Sequence, residues 1–353
     1  MSRSSRPPSR RKYSFSPIFS GSDLSARRLP RMEQQGAAAG PVVWLTGCMH
    51  GDEVGGIVVI QEVFRRLRKE PLLKGSLHAF PLMNPVGFEN TSRHVGVSRE
   101  DLNRSFPGKK KGSMAERIAW KILSDIQATR PSLVLDLHND WINSVPYALL
   151  DAGEMPPEVR ERIIAFASRT GLITVRESAD PSELRKMAGS FTGCLAGLGV
   201  PAFTLELGEA RVVNEMNVAD GLRAVWSILA SLEMVAPQDE ALHHPAPEKL
   251  RGKVLNYSHE PVASSSGIVR FLAQPGQTVK KGQSIARVYN VFGKLVETIH
   301  AGADAVVLGF SDTSVAMPGL PVMAFGAIEP TAPVPSGPAV PAPPKPTKEA
   351  AKG

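Results

Sequence analysis

His50 and Glu53 stand three residues apart in the run Gly47-Cys48-Met49-His50-Gly51-Asp52-Glu53, where an apolar stretch gives way to a helix-like one. At that spacing both side chains can reach a single point. Two further runs each set one titratable side chain at the end of an apolar stretch: His138 in Asp136-Leu137-His138-Asn139-Asp140, and Glu206 in Thr204-Leu205-Glu206-Leu207-Gly208. Two imidazoles and one carboxylate make the ligand set of a catalytic zinc site and leave a fourth position for water. Zinc brings the pKa of such a water down to about 7 and also polarises a carbonyl. Glu206 is not needed as a ligand, so it is available to take the water's proton and deliver it to a leaving nitrogen. The residues alone leave a second reading open, a buried polar cluster whose members satisfy one another. The other histidines, His78, His94, His243, His244, His259 and His300, lack a comparable carboxylate pattern and are expected to be structural or at the surface.

A fourth run, Asp101-Leu102-Asn103-Arg104-Ser105-Phe106-Pro107-Gly108, pairs an amide with a guanidinium. Arginine presents a planar fork that matches a carboxylate in bidentate fashion, so Asn103 and Arg104 beside a metal would clamp the acidic end of a substrate. The same residue types also make an ordinary solvent-facing turn.

These side chains need strands to hold them. Apolar runs over residues 41–46, 75–81, 132–137, 147–150 and 202–207 read as strands that alternate with helix-like stretches, the pattern of an α/β protein with a mainly parallel sheet. Helices are expected over residues 54–69, 157–169, 182–198 and 219–234. Another starts at a capping box, Ser113 with Glu116, ahead of Ile118, Ala119, Ile122, Leu123 and Ile126. On this reading all four candidate residues lie at the carboxyl ends of strands, where open α/β sheets form their ligand crevices. Beyond the run LHHPAPE over residues 242–248, short β-like segments separated by Gly and Pro turns suggest a smaller all-β unit.

With 353 residues, 42% of them hydrophobic, the chain can bury at least one sizeable core, which excludes a small disulfide scaffold or a wholly disordered chain. Its two cysteines, Cys48 and Cys194, give no disulfide framework and fit a reducing compartment. No window approaches the ~18 consecutive apolar residues of a membrane span. The net charge of +7 is carried by residues 1–32, where eight basic residues face Asp23 alone, so the rest of the chain is neutral. A neutral body argues against nucleic acid or an anionic membrane as partner. Residues 1–17 read as a flexible basic leader, with a targeting segment and an anion-binding arm as the other readings. Proline density over residues 328–353 predicts a disordered tail.

Taken in order, HGDE, DLNRSFPG, DLHND and TLELG resemble the succinylglutamate desuccinylase and aspartoacylase family, a branch of the zinc carboxypeptidase-like fold, over roughly residues 41–234. The resemblance implies one zinc ion per chain held by His50, Glu53 and His138, a substrate carboxylate bound by Asn103 and Arg104, and Glu206 as general base and acid. Where family members carry a further arginine shortly before DLNR, Gly96 stands here, so Arg93 and Arg99 on either side are the candidates for a second clamp. Residues 191–204 contain no arginine to match the one that reads the acyl group in the family, so specificity for succinylglutamate or acetylaspartate is not implied. The β-rich end resembles a biotinyl or lipoyl carrier barrel. Lys294 is its nearest candidate for a carrier lysine, in a poor context, so a structural or site-covering role is expected.

The expected organisation is therefore a leader over residues 1–17, a zinc hydrolase domain over 18–238, a linker over 239–248, a β-barrel-like domain over 249–327 and a tail over 328–353. The expected activity is zinc-dependent hydrolysis of the amide bond of a small N-acyl amino acid. A carboxypeptidase-like hydrolase of short peptides and a non-catalytic binding module on the same fold are the alternatives. A cytoplasmic location is expected unless the leader directs the chain to an organelle, and self-association is left open.

Overall fold

The computed structural model describes residues 10–21 and 24–328. An antiparallel hairpin, β1 (Arg10–Ser20) and β2 (Ala26–Gln35), precedes β3 (Val42–Gly47), α1 (Gly55–Arg66), β4 (Ser76–Phe80), α2 (Pro85–Glu89), α3 (Met114–Gln127) and β5 (Leu133–Asp140). There follow β6 (Asn143–Ser144), β7 (Pro146–Leu150), α4 (Pro157–Arg169), β8 (Ile173–Arg176), α5 (Pro181–Lys186), α6 (Phe191–Gly197), β9 (Ala202–Glu209) and α7 (Glu215–Ser231). The last part of the chain is all β: β10 (Val254–Ser258), β11 (Gly267–Phe271), β12 (Thr278–Val279), β13 (Ser284–Tyr289), β14 (Leu295–His300), β15 (Ala305–Phe310), β16 (Val315–Ala316) and β17 (Met323–Ala327).

At the centre of the main sheet, β4, β3, β5 and β9 lie side by side and parallel, and β7 joins β9 antiparallel. Side chains along a strand alternate between faces, so each strand serves both layers. Leu133, Leu135 and Leu137 of β5 pack under α1, α4 and α7 with Phe203, Leu205 and Leu207 of β9. That burial turns Asp136, His138, Thr204 and Glu206 to the opposite face, where α3 and α6 pack around Trp44, Phe80 and Val134. Helix α3 begins at the expected capping box, with both Ser113–Glu116 hydrogen bonds formed.

Two expectations need correction and a third an addition. The flexible leader was placed over residues 1–17, yet from Arg10 onward the chain is a strand paired along its length with β2, which in turn pairs with β4; residues 1–9 lie outside the described residues. Helix 182–198 is two helices, α5 and α6, because Gly189 with φ +80° sits between them and places its carbonyl on the Phe106 amide. The segment over 249–327 gathers about its own core, as expected, and is in addition joined to the main sheet. Strand β10 adds parallel to β8, and β17, β15 and β12 continue the same sheet, so that Leu255, Val306, Leu308 and Ala324 share a core with Tyr147, Ile173 and Val175. Strands β14, β13, β11 and β16 form a second sheet, and Val269, Ile285 and Ile299 from it share a core with Val279, Val307 and Phe325 from β12, β15 and β17. An unpaired edge at β8 would leave backbone donors and acceptors unsatisfied, and this extension covers it. The expected tail, apart from Ile328, lies outside the described residues.

Candidate active site

The first candidate residues sit on the turn that leads from β3 into α1. Cys48 takes φ +54°, and Gly51 passes so close to α2 that a Cβ there would lie 1.9 Å from the Gly87 carbonyl carbon. Only glycine fits, and the loop is thereby pinned with His50 and Glu53 facing β5. From the other side, Asn139 ties the strand ends together. Its amide oxygen accepts from the Gly55 N–H at 2.9 Å, its NH2 donates to the Glu209 carbonyl at 2.8 Å, and its backbone N–H donates to Glu53 Oε2 at 3.1 Å. Register does the rest, since His138 of β5 lies directly beside Glu206 of β9.

Glu53 lies between the two imidazoles, 2.6 Å from His50 Nδ1 and 2.8 Å from His138 Nδ1. The far nitrogen of His138 meets Asp136 at 2.8 Å, and Asp136 also accepts from the Thr46 hydroxyl at 2.7 Å. A carboxylate behind a histidine fixes which ring nitrogen faces forward, the arrangement found behind metal-ligating histidines. His50, Glu53 and His138 are each at most 5% exposed, and their donor atoms all lie within 4.8 Å of one another. The Nε2 atom of His50 is buried without a hydrogen bond, although Asp101 Oδ1 lies 3.3 Å away. Two imidazoles, one carboxylate, a supporting carboxylate and an unsatisfied buried nitrogen fit a divalent metal ion of the zinc type. Burial opposes charge on Glu53, but the flanking imidazoles hold its carboxyl well below the usual range. Burial likewise opposes charge on His138, yet Asp136 and Glu53 together hold its pKa well above the ordinary value.

Glu206 is 9% exposed and its Oε2 has no partner. Burial, reinforced by Asp140, Glu53 and Asp136 and opposed by His138, lifts its carboxyl well above the usual range. A buried carboxylate with one unpartnered oxygen, beside the His138 imidazole, can accept and return a proton.

These side chains open into a cavity of about 300 Å³, also lined by Arg93, Asn103 and Arg104. Among the described residues Arg104 forms no ion pair with a carboxylate: its guanidinium donates to the Asn103 carbonyl at 2.6 Å and reaches Met187 Sδ at 3.0 Å. The side-chain oxygen of Asn103 is occupied by the Phe191 N–H at 2.8 Å, so this residue also anchors the start of α6. Arg93 lies at the rim, 43% exposed, with its fork on Asp101 and one nitrogen 3.3 Å from His50 Nδ1. Arg99 is not brought to the site. It is exposed, has φ +52° at the end of the short turn Gly96–Ser98, and is absent from the cavity lining because a Val95–Glu100 bridge folds that turn away.

Several lining residues were not singled out from the sequence. Tyr147, whose hydroxyl donates to Asp140 at 2.7 Å, stacks on Tyr257, and His259 stacks on Trp141 with ring centroids 5.6 Å apart. His259 was expected to be structural or at the surface, but it lines the cavity with Tyr257 because β10 pairs with β8. Asp101, Asp136 and Asn139 were legible in principle, since they lie inside the runs that carry the ligands. Tyr257 and His259 carried no local signal.

The catalytic-domain profile of the succinylglutamate desuccinylase/aspartoacylase family matches residues 39–232. The chain is 27% identical over 257 residues, 71% of each protein, to an N-alpha-acetyl-L-2,4-diaminobutyric acid deacetylase of Halomonas elongata. Among solved structures, a succinylglutamate desuccinylase from Silicibacter sp. TM1040 superposes with a TM-score of 0.73 at 19% identity, covering 91% of this chain and 95% of that one. The product-bound ectoine utilization protein EutE from Ruegeria pomeroyi superposes with a TM-score of 0.72 at 21% identity, covering 90% and 95%. Both share the fold. With its four runs converging on one cavity inside the matched segment, the chain belongs to the succinylglutamate desuccinylase/aspartoacylase family.

Proposed function

We propose that this protein is a zinc-dependent hydrolase of the amide bond in a small N-acyl amino acid. The observation that carries the reading is the placement of Glu206, buried and unpartnered, beside His138 in a cavity that also holds His50, Glu53 and Arg104. His50, Glu53 and His138 would hold the metal, with Asp136 orienting His138. Bound zinc supplies Lewis acidity toward the amide carbonyl and acidifies water. Glu206 takes a proton from the attacking water and passes it to the amide nitrogen as the C–N bond breaks, leaving a carboxylate and a free amine. Arg104 receives the substrate's carboxylate, since its guanidinium forms no ion pair with a carboxylate among the described residues.

A cavity of about 300 Å³ suits a small amide rather than a polypeptide. The acetylated amino acid in the name of the H. elongata relative is of this class. The test is a panel of N-acetyl and N-succinyl amino acids and dipeptides, with release of free amine as the readout. Turnover of N-acyl amino acids is expected. Hydrolysis of peptides alone would favour a carboxypeptidase-like activity, and no turnover at all would point to a binding module.

A further inference from the structure

The cavity extends well beyond the catalytic carboxylate. Tyr147 of β7 lies opposite Glu206 of β9, and Leu149 lies opposite Thr204. Asp151 follows β7 on the same face, so four residues, about 13 Å at the rise of a strand, separate it from the level of Glu206. Strand β8 runs parallel to β7 with Arg176 beside Leu150, and the Glu177 N–H donates to the Leu150 carbonyl, which brings Glu177 level with Asp151. Two carboxylates thus stand side by side at the end of the cavity remote from the metal ligands, and both line it.

They are not equivalent. Asp151 accepts from the Ser190 hydroxyl at 2.9 Å and from the Gly153 N–H at 2.7 Å. Glu177 differs in that its Oε2 is buried without a hydrogen bond. Five carboxylates line the cavity against two arginines. Glu53 belongs to the imidazoles, Glu206 to proton transfer, Asp140 to Tyr147 and Asp151 to Ser190, and Glu177 alone has no task. A half-buried acid with one oxygen enclosed and unpaired, beside a second acid, is costly to ionise unless something cationic joins it. Burial, with Asp151 adding to it and Arg104 opposing, pushes the Glu177 carboxyl up to about 8, and an incoming ammonium would relieve that penalty.

We propose that Glu177 is a specificity-determining residue that receives a free ammonium group of the substrate while Arg104 receives its carboxylate, so that the substrate is a diamino acid acylated on one nitrogen. The inference rests on the reading of the site as an amide hydrolase and narrows its substrate.

Calorimetry on the purified metal-loaded protein tests it without turnover, using the products. Lysine, ornithine and 2,4-diaminobutyrate are compared with norleucine, norvaline and 2-aminobutyrate, which match them in carbon chain and lack the second amine. The best diamino acid should bind at least ~10-fold tighter than its neutral counterpart, the scale of one charge-assisted hydrogen bond. In Glu177→Gln that ratio should fall to near one. A ratio near one in the wild-type protein, or one that survives in Glu177→Gln, overturns the proposal, and the wild-type ratio decides even if the variant folds poorly. Hydrolysis of neutral or acidic N-acyl amino acids without preference for cationic ones would also overturn it while leaving the hydrolase reading intact. Failure of every N-acyl amino acid would instead remove that reading, with the binding ratio still deciding the role of Glu177.

Discussion

At the scale of single residues, the carboxylates of one cavity differ by their partners. Glu53 is held between imidazoles and stays ionised, whereas Glu206 has no hydrogen bond on its buried oxygen. Glu206→Gln should therefore keep the bound metal and the melting temperature but lose at least ~10²-fold in kcat, the contribution of a positioned base. If the metal is lost with the carboxylate, Glu206 is a ligand and the division is wrong. Arg104→Lys keeps the charge but not the fork, so it should cost about 1.5–3 kcal/mol in kcat/KM on substrates with a free carboxylate. The loss should shrink on the matching carboxamides, and equal losses on both would make Arg104 a structural support. That His50, Glu53, His138 and Glu206 would meet was legible because they lie where apolar runs end and their residue types restrict their chemistry. Arg99 was misplaced because nearness in sequence to Asn103-Arg104 says nothing about which way a turn projects.

The elements explain why those residues converge. Alternation along β5 was readable from Leu133, Leu135 and Leu137, and it fixes the face of Asp136 and His138 without further information. Less readable was the turn after β3, where tertiary contact with α2 decides the shape. Gly51→Ala would drive a Cβ into the Gly87 backbone, so it should destabilise the protein by about 1–3 kcal/mol in denaturant titration and weaken metal retention. A variant as stable and as metal-rich as the wild type would show that the loop is free to move. Strand β2, rich in Arg and Gln, carries almost no apolar alternation, which is why it escaped a reading from sequence. Its pairing with β4 supplies what its side chains do not.

Across the whole molecule, the C-terminal strands complete the main sheet and supply Tyr257 and His259 to the cavity, a relation between residues more than 100 positions apart that no local pattern encodes. Ending the chain after Leu250 would strip the edge of β8 and uncover Val175 and Tyr147, so the shortened protein should fail to fold cooperatively. A soluble, cooperatively melting product would contradict the dependence of β7 and β8 on the core they share with the C-terminal strands. Stability should also report on Glu177, which faces Asp151, Arg104 and Glu183. Its folded pKa of about 8 lies above its ordinary 4.5, so the folded state holds the proton more tightly. Stability should be fullest below about pH 4.5 as far as this group is concerned, decline as pH rises toward 8 and level off above it. Glu177→Gln should remove that part of the decline in melting temperature, and an unchanged slope would show that the carboxyl is not buried in its charged form.

The measurement closest to the central claim is metal analysis of the purified wild-type protein and His138→Ala, combined with activity on N-acyl amino acids before chelation, after it and after zinc is returned. The wild-type chain should carry about one zinc, His138→Ala should lose most of it, and activity should disappear on chelation and return with zinc. Full wild-type activity after exhaustive removal of metal would contradict the claim.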